Sequence, residues 1–542
     1  MVRRNWVLFA IILAAAICLR FYGLIEQGFL YWDEGMYMNE AKFYSSLVEH
    51  RAFILEQVRK GPDIEMIEAA IDGWPPSAVK PLHGLLIYGM SLVIGLHDYT
   101  GQVTSAFFSI IMLLLVFFMV AKYESLFTAF FALILLTFSP FHIMFARAAF
   151  PEMDSVVFYL IATLFYLAYI EGGRRSIWKM LGVGVFFGLA LTANYRWFMM
   201  IPVFFIAEIF IKEDPFLQRL RRCLVMFAGF MVVVLAMDIP YKLFLAADTV
   251  PVEFASFKEQ LLYYVFKIFS EHQLALFGFR PLYLRLYYEF NGLISTGFLL
   301  LGTALLLRKR RTFLMNYSLL VFYFVLLGLT FVRKGQFARY DSIIYPFGAI
   351  ITAYGITGFC KVMAQRRWLR NASVTVLALF IIVSGIKEAR AIISLRSGYR
   401  EAKAFLEEHG GEKCLASTNS VFEFYFGRNV ANILNRDENS FIEDMQKDDY
   451  KFLVVDYAQM SVVAGGPTHI YSYLREHKKP VAVIKNPMGA YLRAVLENIH
   501  YADNPLRPYA ELLHDPQIDE IRIYSTEGLV DEIKAEISAR QG

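Results

Sequence analysis

Long apolar runs separated by short polar stretches fill residues 1–390. Beyond them, shorter apolar runs alternate with amphipathic segments. Runs approaching the ~20 apolar residues that cross a bilayer occupy 6–25, 103–120, 125–143, 155–170, 177–193, 197–211, 223–246, 291–307, 313–332, 342–360 and 372–387. A further run at 82–96, "LHGLLIYGMSLVIGL", is short and carries His83 and three glycines, and it reads as a helix lying in or dipping into the outer interface. About eleven spans result. In the last part, "YREAKAFLEEHGG" has helical spacing and a glycine stop, while "CLAST", "FLVVD", "VAVIK" and "IRIYS" have the length and composition of strands. This pattern predicts an α-helical polytopic membrane domain over 1–390, with large outer loops at 26–102 and 247–290, and an extracytoplasmic α/β domain over 391–542.

Composition sharpens the class. Of 542 residues, 57% are hydrophobic and 19% charged, outside the range of soluble domains. The net charge of +4 is too small to point to nucleic acid. Cys18, Cys223 and Cys360 fall in apolar runs and Cys414 stands alone, so neither a disulfide framework nor a zinc spacing arises. "VRR" precedes an apolar stretch from Trp6 to Leu19 with no small-residue cleavage site, the pattern of a retained first span.

Basic residues set the expected orientation. "AKYES", "GGRRSIWK", "KEDPFLQRLRR", "RKRR" and "KVMAQRRWLR" fall on alternate connections, which places the N-terminus in the cytoplasm and the large loops and tail outside. The outer domain has no glycosylation sequon, favouring a bacterial cytoplasmic membrane over an ER membrane.

Some charges oppose that rule. Lys80, Arg147, Arg196, Arg333, Lys334 and Arg339 are expected at the outer face, as are the acids Asp33, Glu34, Glu152, Asp154 and Asp341. Snorkelling or ion pairing accounts for any one of them. Taken together, cations converging on an outer cavity suit a lipid phosphate or pyrophosphate. A carboxylate facing such a pocket suits glycosyl transfer: it takes the proton of an acceptor hydroxyl attacking the anomeric carbon, and the cations stabilise the departing phosphate. Asp33 acting only as base implies inversion.

The ordered motifs resemble a known family. "WDEGMYMNEAK" follows the first span, "VKPLHGLLIYG" precedes the interfacial helix, and "FARAAFPEMDSVVFYLIATLFYLAY", "FGLALTANYRW" and "FARYDSIIYPFGAI" follow in order. This set, spread over most of 1–360, resembles the GT-C membrane glycosyltransferases that use polyprenyl-phosphate sugars. These include the protein O-mannosyltransferases, of the family 39 type, and the lipid A aminoarabinose transferases. The resemblance implies a GT-C fold with its active site at the outer face. It implies Asp33 as base with Glu34 beside it, Glu152 as the second acid, and Lys80, Arg147, Arg196, Arg339 and Tyr340 as donor-phosphate contacts. Tyr31, Trp32, Tyr37, Asp154 and His83 are the candidate acceptor or sugar contacts. Two departures stand out: the lysine is followed by the single Pro81, and "WPP" lies upstream at 74–76.

The expected partners are membrane lipids, a lipid-linked hexose, pentose or amino-sugar donor, and a lipid, glycan or protein acceptor. No obligatory metal is expected; Glu271 and His272 are the candidate ligands should a divalent ion take part. The loop 247–290 reads as an amphipathic surface helix, with a lid over the cavity as its functional alternative. "VVAGGPTHIY" lacks the Lys-Ser/Thr ending of a phosphate loop. Two competing readings are an oligosaccharyltransferase- or ligase-like enzyme with a pyrophosphate-linked donor, and a lipid-linked sugar flippase. The second calls for paired broken helices in related halves, which the sequence does not show.

Overall fold

The computed structural model describes residues 2–60, 64–72, 80–170, 176–210, 214–241, 282–308, 312–331, 342–363, 367–432, 441–443, 445, 450–456, 468–487 and 519–541. In chain order the helices are α1 (Val2–Phe21), α2 (Trp32–Glu49), α3 (Arg51–Lys60), α4 (Ile64–Ala70), α5 (Pro81–Ile94), α6 (Thr100–Tyr123), α7 (Leu126–Thr137), α8 (Pro140–Ala146), α9 (Glu152–Ile170) and α10 (Ile177–Ala193). A 3-10 turn (Tyr195–Met200) leads to α11 (Ile201–Phe210) and α12 (Phe216–Val233), which continues through a π turn (Val234–Asp238). Then come α13 (Leu282–Arg308), α14 (Phe313–Phe331), α15 (Tyr345–Val362), α16 (Arg367–Ile393) and α17 (Tyr399–Glu408). The remainder is β1 (Cys414–Ala416), α18 (Asn419–Phe426), β2 (Val430–Asn432), β3 (Phe452–Asp456), α19 (Thr468–His477), β4 (Ala482–Lys485), β5 (Glu520–Ser525) and α20 (Leu529–Gln541).

These elements form two compact units. The first comprises Met1–Leu24, Lys80–Leu86 and Gln102–Ile393, and the second Ile25–Val79, Ile87–Gly101 and Ser394–Gly542. The second thus combines most of the segment read as the first outer loop with the C-terminal segment.

In the first unit, four helices among the described residues are long and apolar enough to cross a membrane, or five if α7 and α8 count as one span. Length and composition therefore establish fewer spans than the expected number. α10, at one of the expected spans, shows the reason: its 17 residues reach only about 26 Å, short of the ~30 Å hydrocarbon layer. The single run expected at 125–143 is in fact α7 and α8, bent by 63°. Pro140 lacks the N–H that α7 would need to continue, and Ser139 Oγ restarts the helix by accepting from the His142 N–H at 3.2 Å.

Glycine sets the helix spacing. A Cβ on Gly184 of α10 would lie 1.9 Å from the Met226 carbonyl oxygen of α12, and one on Gly229 would lie 2.5 Å from that of Leu181. Gly302 of α13 and Gly355 of α15 are equally tight, at 2.2 Å from Ile351 O and 2.1 Å from Phe298 O. Lipid provides little hydrophobic drive between helices, so such close backbone contact supplies much of the attraction.

The second unit holds a five-stranded sheet in the order β2-β1-β3-β5-β4. β1 runs parallel to β2 and β3, and β5 runs antiparallel to β3 and β4. Leu415, Leu453, Val455, Ile470, Leu474 and Tyr524 lie in its core. The four expected strands all form. β2 is additional: "VAN" is too short and too polar to announce itself. α17 ends as its glycine pair predicts. Gly410 adopts φ 62°, its N–H reaches Glu407 O at 3.3 Å, and that of Gly411 reaches Leu406 O at 2.7 Å, the double bond of a Schellman stop.

Two stability predictions follow from this packing. Gly184→Ala should lower stability by about 1–3 kcal/mol because the methyl meets backbone. Gly297→Ala, with nothing within 4 Å among the described residues, should be neutral or raise it by up to ~1 kcal/mol through helix propensity; melting of the purified variants in detergent checks the contrast. On α18, burial raises the Glu423 carboxyl from 4.5 to about 7 against the opposing influence of Lys42 and Arg428. The folded chain holds this proton more tightly than the unfolded one. The contribution is therefore fully present below pH 4.5 and lost as pH rises through about 7. Melting of the second unit should fall between pH 6 and 8 by more in the wild type than in Glu423→Gln.

Candidate active site

In the second unit, α2 starts directly after Tyr31, its N-cap residue, so Asp33 and Glu34 lie in its first turn where the helix dipole favours acids. Glu34 Oε1 accepts from the backbone N–H groups of Leu30 and Tyr31, both at 2.8 Å, and so holds the turn that starts the helix. Asp33, also buried, is one residue earlier, on a different side of the helix. Tyr31 and Tyr37 are buried. The Tyr31 and Trp32 rings pack at 5.5 Å.

In the first unit, three segments bring ionisable groups together. Lys80 and His83 stand at the start of α5, Glu152 and Asp154 in the first turn of α9, and Arg196 in the 3-10 turn after α10. His83 Nδ1 lies 3.2 Å from Asp154 Oδ2, both groups buried. Arg196 Nη1 is 3.9 Å from Glu152 Oε1, long for a hydrogen bond but close for opposite charges. Lys80 Nζ sits 5.7 Å from the centroid of the Tyr195 ring, and the Tyr195 hydroxyl donates to Asp238 in the π turn after α12. His83, Glu152, Asp154 and Asp238 are all 1% exposed or less, while Lys80 and Arg196 are partly exposed.

The adjoining residues were not singled out by the sequence. Asn194 Oδ1 accepts from both the backbone N–H and Nη1 of Arg196, at 3.2 and 3.4 Å, which fixes the orientation of the amide. Its Nδ2 is buried with no acceptor among the described residues, as is the Trp197 Nε1. The Trp197 ring stacks on Tyr159 with centroids 4.3 Å apart. Tyr159 is seven residues beyond Glu152 and so on the same face of α9. The signal was the motif "TANYRW" itself, of which only the arginine was chosen.

Arg147 has a structural occupation. Its Nη1 donates to the carbonyls of Arg20 at 3.1 Å and Tyr22 at 2.9 Å, at the C-terminal end of α1, where a cation meets the negative end of the helix dipole. Arg339 and Tyr340 lie outside the described residues, as do Glu271, His272 and the loop 247–281. Among the described residues, no group of three or more His, Cys, Asp or Glu side chains is placed to hold a metal ion.

No family model and no curated protein matches this sequence. Solved structures do. ArnT from Cupriavidus metallidurans bound to undecaprenyl phosphate aligns with a TM-score of 0.55 at 12% identity, covering 90% of this chain and 94% of that one. Its apo state aligns at 0.57 and 13% identity over 91% and 95%. The archaeal oligosaccharyltransferase AglB from Archaeoglobus fulgidus, in complex with an inhibitory peptide and a dolichol-phosphate, aligns at 0.53 and 12% identity over 85% and 71%. At this level of identity the likeness establishes architecture alone: the chain has the fold that ArnT and AglB share.

Proposed function

We propose that this chain is an integral-membrane glycosyltransferase that moves a sugar from a polyprenyl-phosphate donor to a lipid, glycan or protein acceptor at the outer face of a bacterial cytoplasmic membrane. The observation that carries the reading is the cluster of charges at the starts of α5 and α9, beside two buried N–H donors that have no acceptor among the described residues. It occurs in a fold shared with a protein solved with undecaprenyl phosphate. Lys80 and Arg196 meet the negative charge of the phosphate, and Asn194 Nδ2 and Trp197 Nε1 donate to donor oxygens. A buried N–H without an acceptor costs about 1–3 kcal/mol, which a bound oxygen recovers. Glu152 orients the sugar. Arg339 and Tyr340 join the phosphate contacts on the strength of the motif resemblance.

Asp33 is the base. It takes the proton of the acceptor hydroxyl as that oxygen bonds to the anomeric carbon, and the bond to the phosphate oxygen breaks with its electrons leaving on the phosphate. Phosphate is a sufficient leaving group without a general acid, so one carboxylate suffices and the configuration inverts. Glu34 is committed to the helix start and has no part in the proton transfer. The likeness to AglB keeps a pyrophosphate-linked glycan donor as the second reading.

The test is transfer by purified protein in lipid nanodiscs, from radiolabelled undecaprenyl-phosphate hexoses, pentoses and amino sugars to a panel of lipids, glycans and peptides. Asp33→Asn should lower kcat by about 100-fold or more with donor affinity retained. Lys80→Ala and Arg196→Ala should instead weaken undecaprenyl phosphate binding. Full turnover in Asp33→Asn contradicts the mechanism, and movement of the lipid-linked sugar across the bilayer without transfer replaces it with a transporter.

Trp197→Phe keeps the ring and deletes the donor. It should weaken binding of undecaprenyl phosphate-linked sugar about tenfold while leaving the melting temperature no lower. Unchanged affinity with raised stability would remove Trp197 from the site.

A further inference from the structure

The residues around Asp33 are held from both sides by the C-terminal part of the second unit. Before Asp33, the Gln27 carbonyl accepts from the Ser397 N–H at 2.8 Å. Gly28 adopts φ 70°, with a Cβ position only 2.8 Å from Ser397 Oγ. Phe29 packs edge-on against Phe424 at 5.5 Å. After Asp33, the stripe of α2 formed by Trp32, Gly35 and Asn39 lies on the first turn of α18. Ser420 Oγ donates to the Trp32 carbonyl at 2.8 Å, and Asn39 Nδ2 donates to the Ser420 carbonyl at 2.9 Å. Gly35 makes the approach possible: a Cβ there would stand 2.6 Å from both Ser420 C and Val421 N.

The support is itself rigid. Ser417, between β1 and α18, donates its N–H to the Val454 carbonyl at 3.0 Å, and its Oγ accepts from the Asp456 N–H at 2.8 Å. The sheet thus fixes the start of α18, and α18 fixes the start of α2. A site on a helix end is only as well placed as the groups that hold that end, and an error of about 1 Å at a reacting group costs on the order of 100-fold in rate.

We propose that the C-terminal domain is the mould that positions Asp33, with Ser420 as the positioning residue, acting through the Trp32 carbonyl and the Gly35 contact. The domain therefore contributes to the chemical step and is more than a cap or an acceptor-binding appendage. The proposal rests on Asp33 being the base.

The experiment uses the full-length chain in nanodiscs as wild type, Ser420→Ala, Ser420→Thr, Gly35→Ala and Asp33→Asn. Two readouts are taken: hydrogen–deuterium exchange, and transfer from whichever undecaprenyl-phosphate sugar the wild type uses best. In Ser420→Ala, amides 33–39 should exchange about fivefold faster, the equivalent of one hydrogen bond, with no change in the first unit. kcat should fall about tenfold or more with the donor KM unchanged, and the acid limb of the pH–rate profile should shift. Ser420→Thr, which keeps the hydroxyl, should restore both. A merely structural role would lower the folded fraction without moving the pH profile of the folded enzyme.

Gly35→Ala should act in the same direction; if it does not fold, the Ser420 pair decides. An Asp33→Asn enzyme that is dead beside a Ser420→Ala enzyme with normal kcat overturns this inference alone. Turnover in Asp33→Asn overturns the base assignment, and this inference with it.

Discussion

A charge taken out of water must be met by a partner, because its uncompensated burial costs several kcal/mol. The first unit is organised around that constraint. Arg20 is fully buried at the end of α1 and reaches Ser109 Oγ at 2.6 Å, the Leu136 carbonyl at 3.0 Å and His142 Nδ1 at 2.8 Å. Arg147 returns the contact by closing the last carbonyls of α1. Arg222 is held by Glu208 at 2.6 Å and Asp214 at 2.9 Å, with Tyr166 donating to the other oxygen of Glu208 at 2.9 Å. Arg20 and Arg147 tie together segments about 90 to 130 positions apart, and Arg222 ties α12 to the end of α11 and the turn between them; a guanidinium fork is apt for this where lysine would offer only a point charge.

Beside these arginines stands the cluster at the starts of α5 and α9. Its cation–carboxylate separation is 3.9 Å, and a lysine beside a tyrosine ring adds positive charge nearby. Two buried N–H groups next to it have no acceptor among the described residues. Donors and cations gathered this way suit an anionic, oxygen-rich ligand, and a sugar phosphate presents both properties at once. Burial strengthens every one of these interactions by excluding water.

Much of the architecture was legible in the sequence. Apolar run length located almost every long helix, the glycine pair at 410–411 located the end of α17, and four β-rich runs located four of five strands. The exceptions have local causes. Pro140 bends a run that hydropathy reads as continuous, and β2 is three residues long. The candidate chemistry was legible less evenly. Charges at the expected outer face drew attention to Lys80, Glu152 and Arg196, which the fold places in neighbouring segments, and equally to Arg147, whose contacts with the end of α1 no charge pattern announces. Nor could charge alone foresee that Glu34 accepts from the backbone of Leu30 and Tyr31, which only the fold shows. Least legible was the contact between Trp32 and Ser420, 388 positions apart, because a hydrogen bond from a serine to a main-chain carbonyl leaves no compositional trace.

The most direct measurement is a cryo-electron microscopy map of the protein in nanodiscs with undecaprenyl phosphate. The account predicts phosphate density within about 3 Å of Lys80 Nζ and the Arg196 guanidinium, with its remaining oxygens facing Asn194 and Trp197. Phosphate density seated elsewhere on the chain, with the Lys80 and Arg196 side chains unengaged, would contradict it.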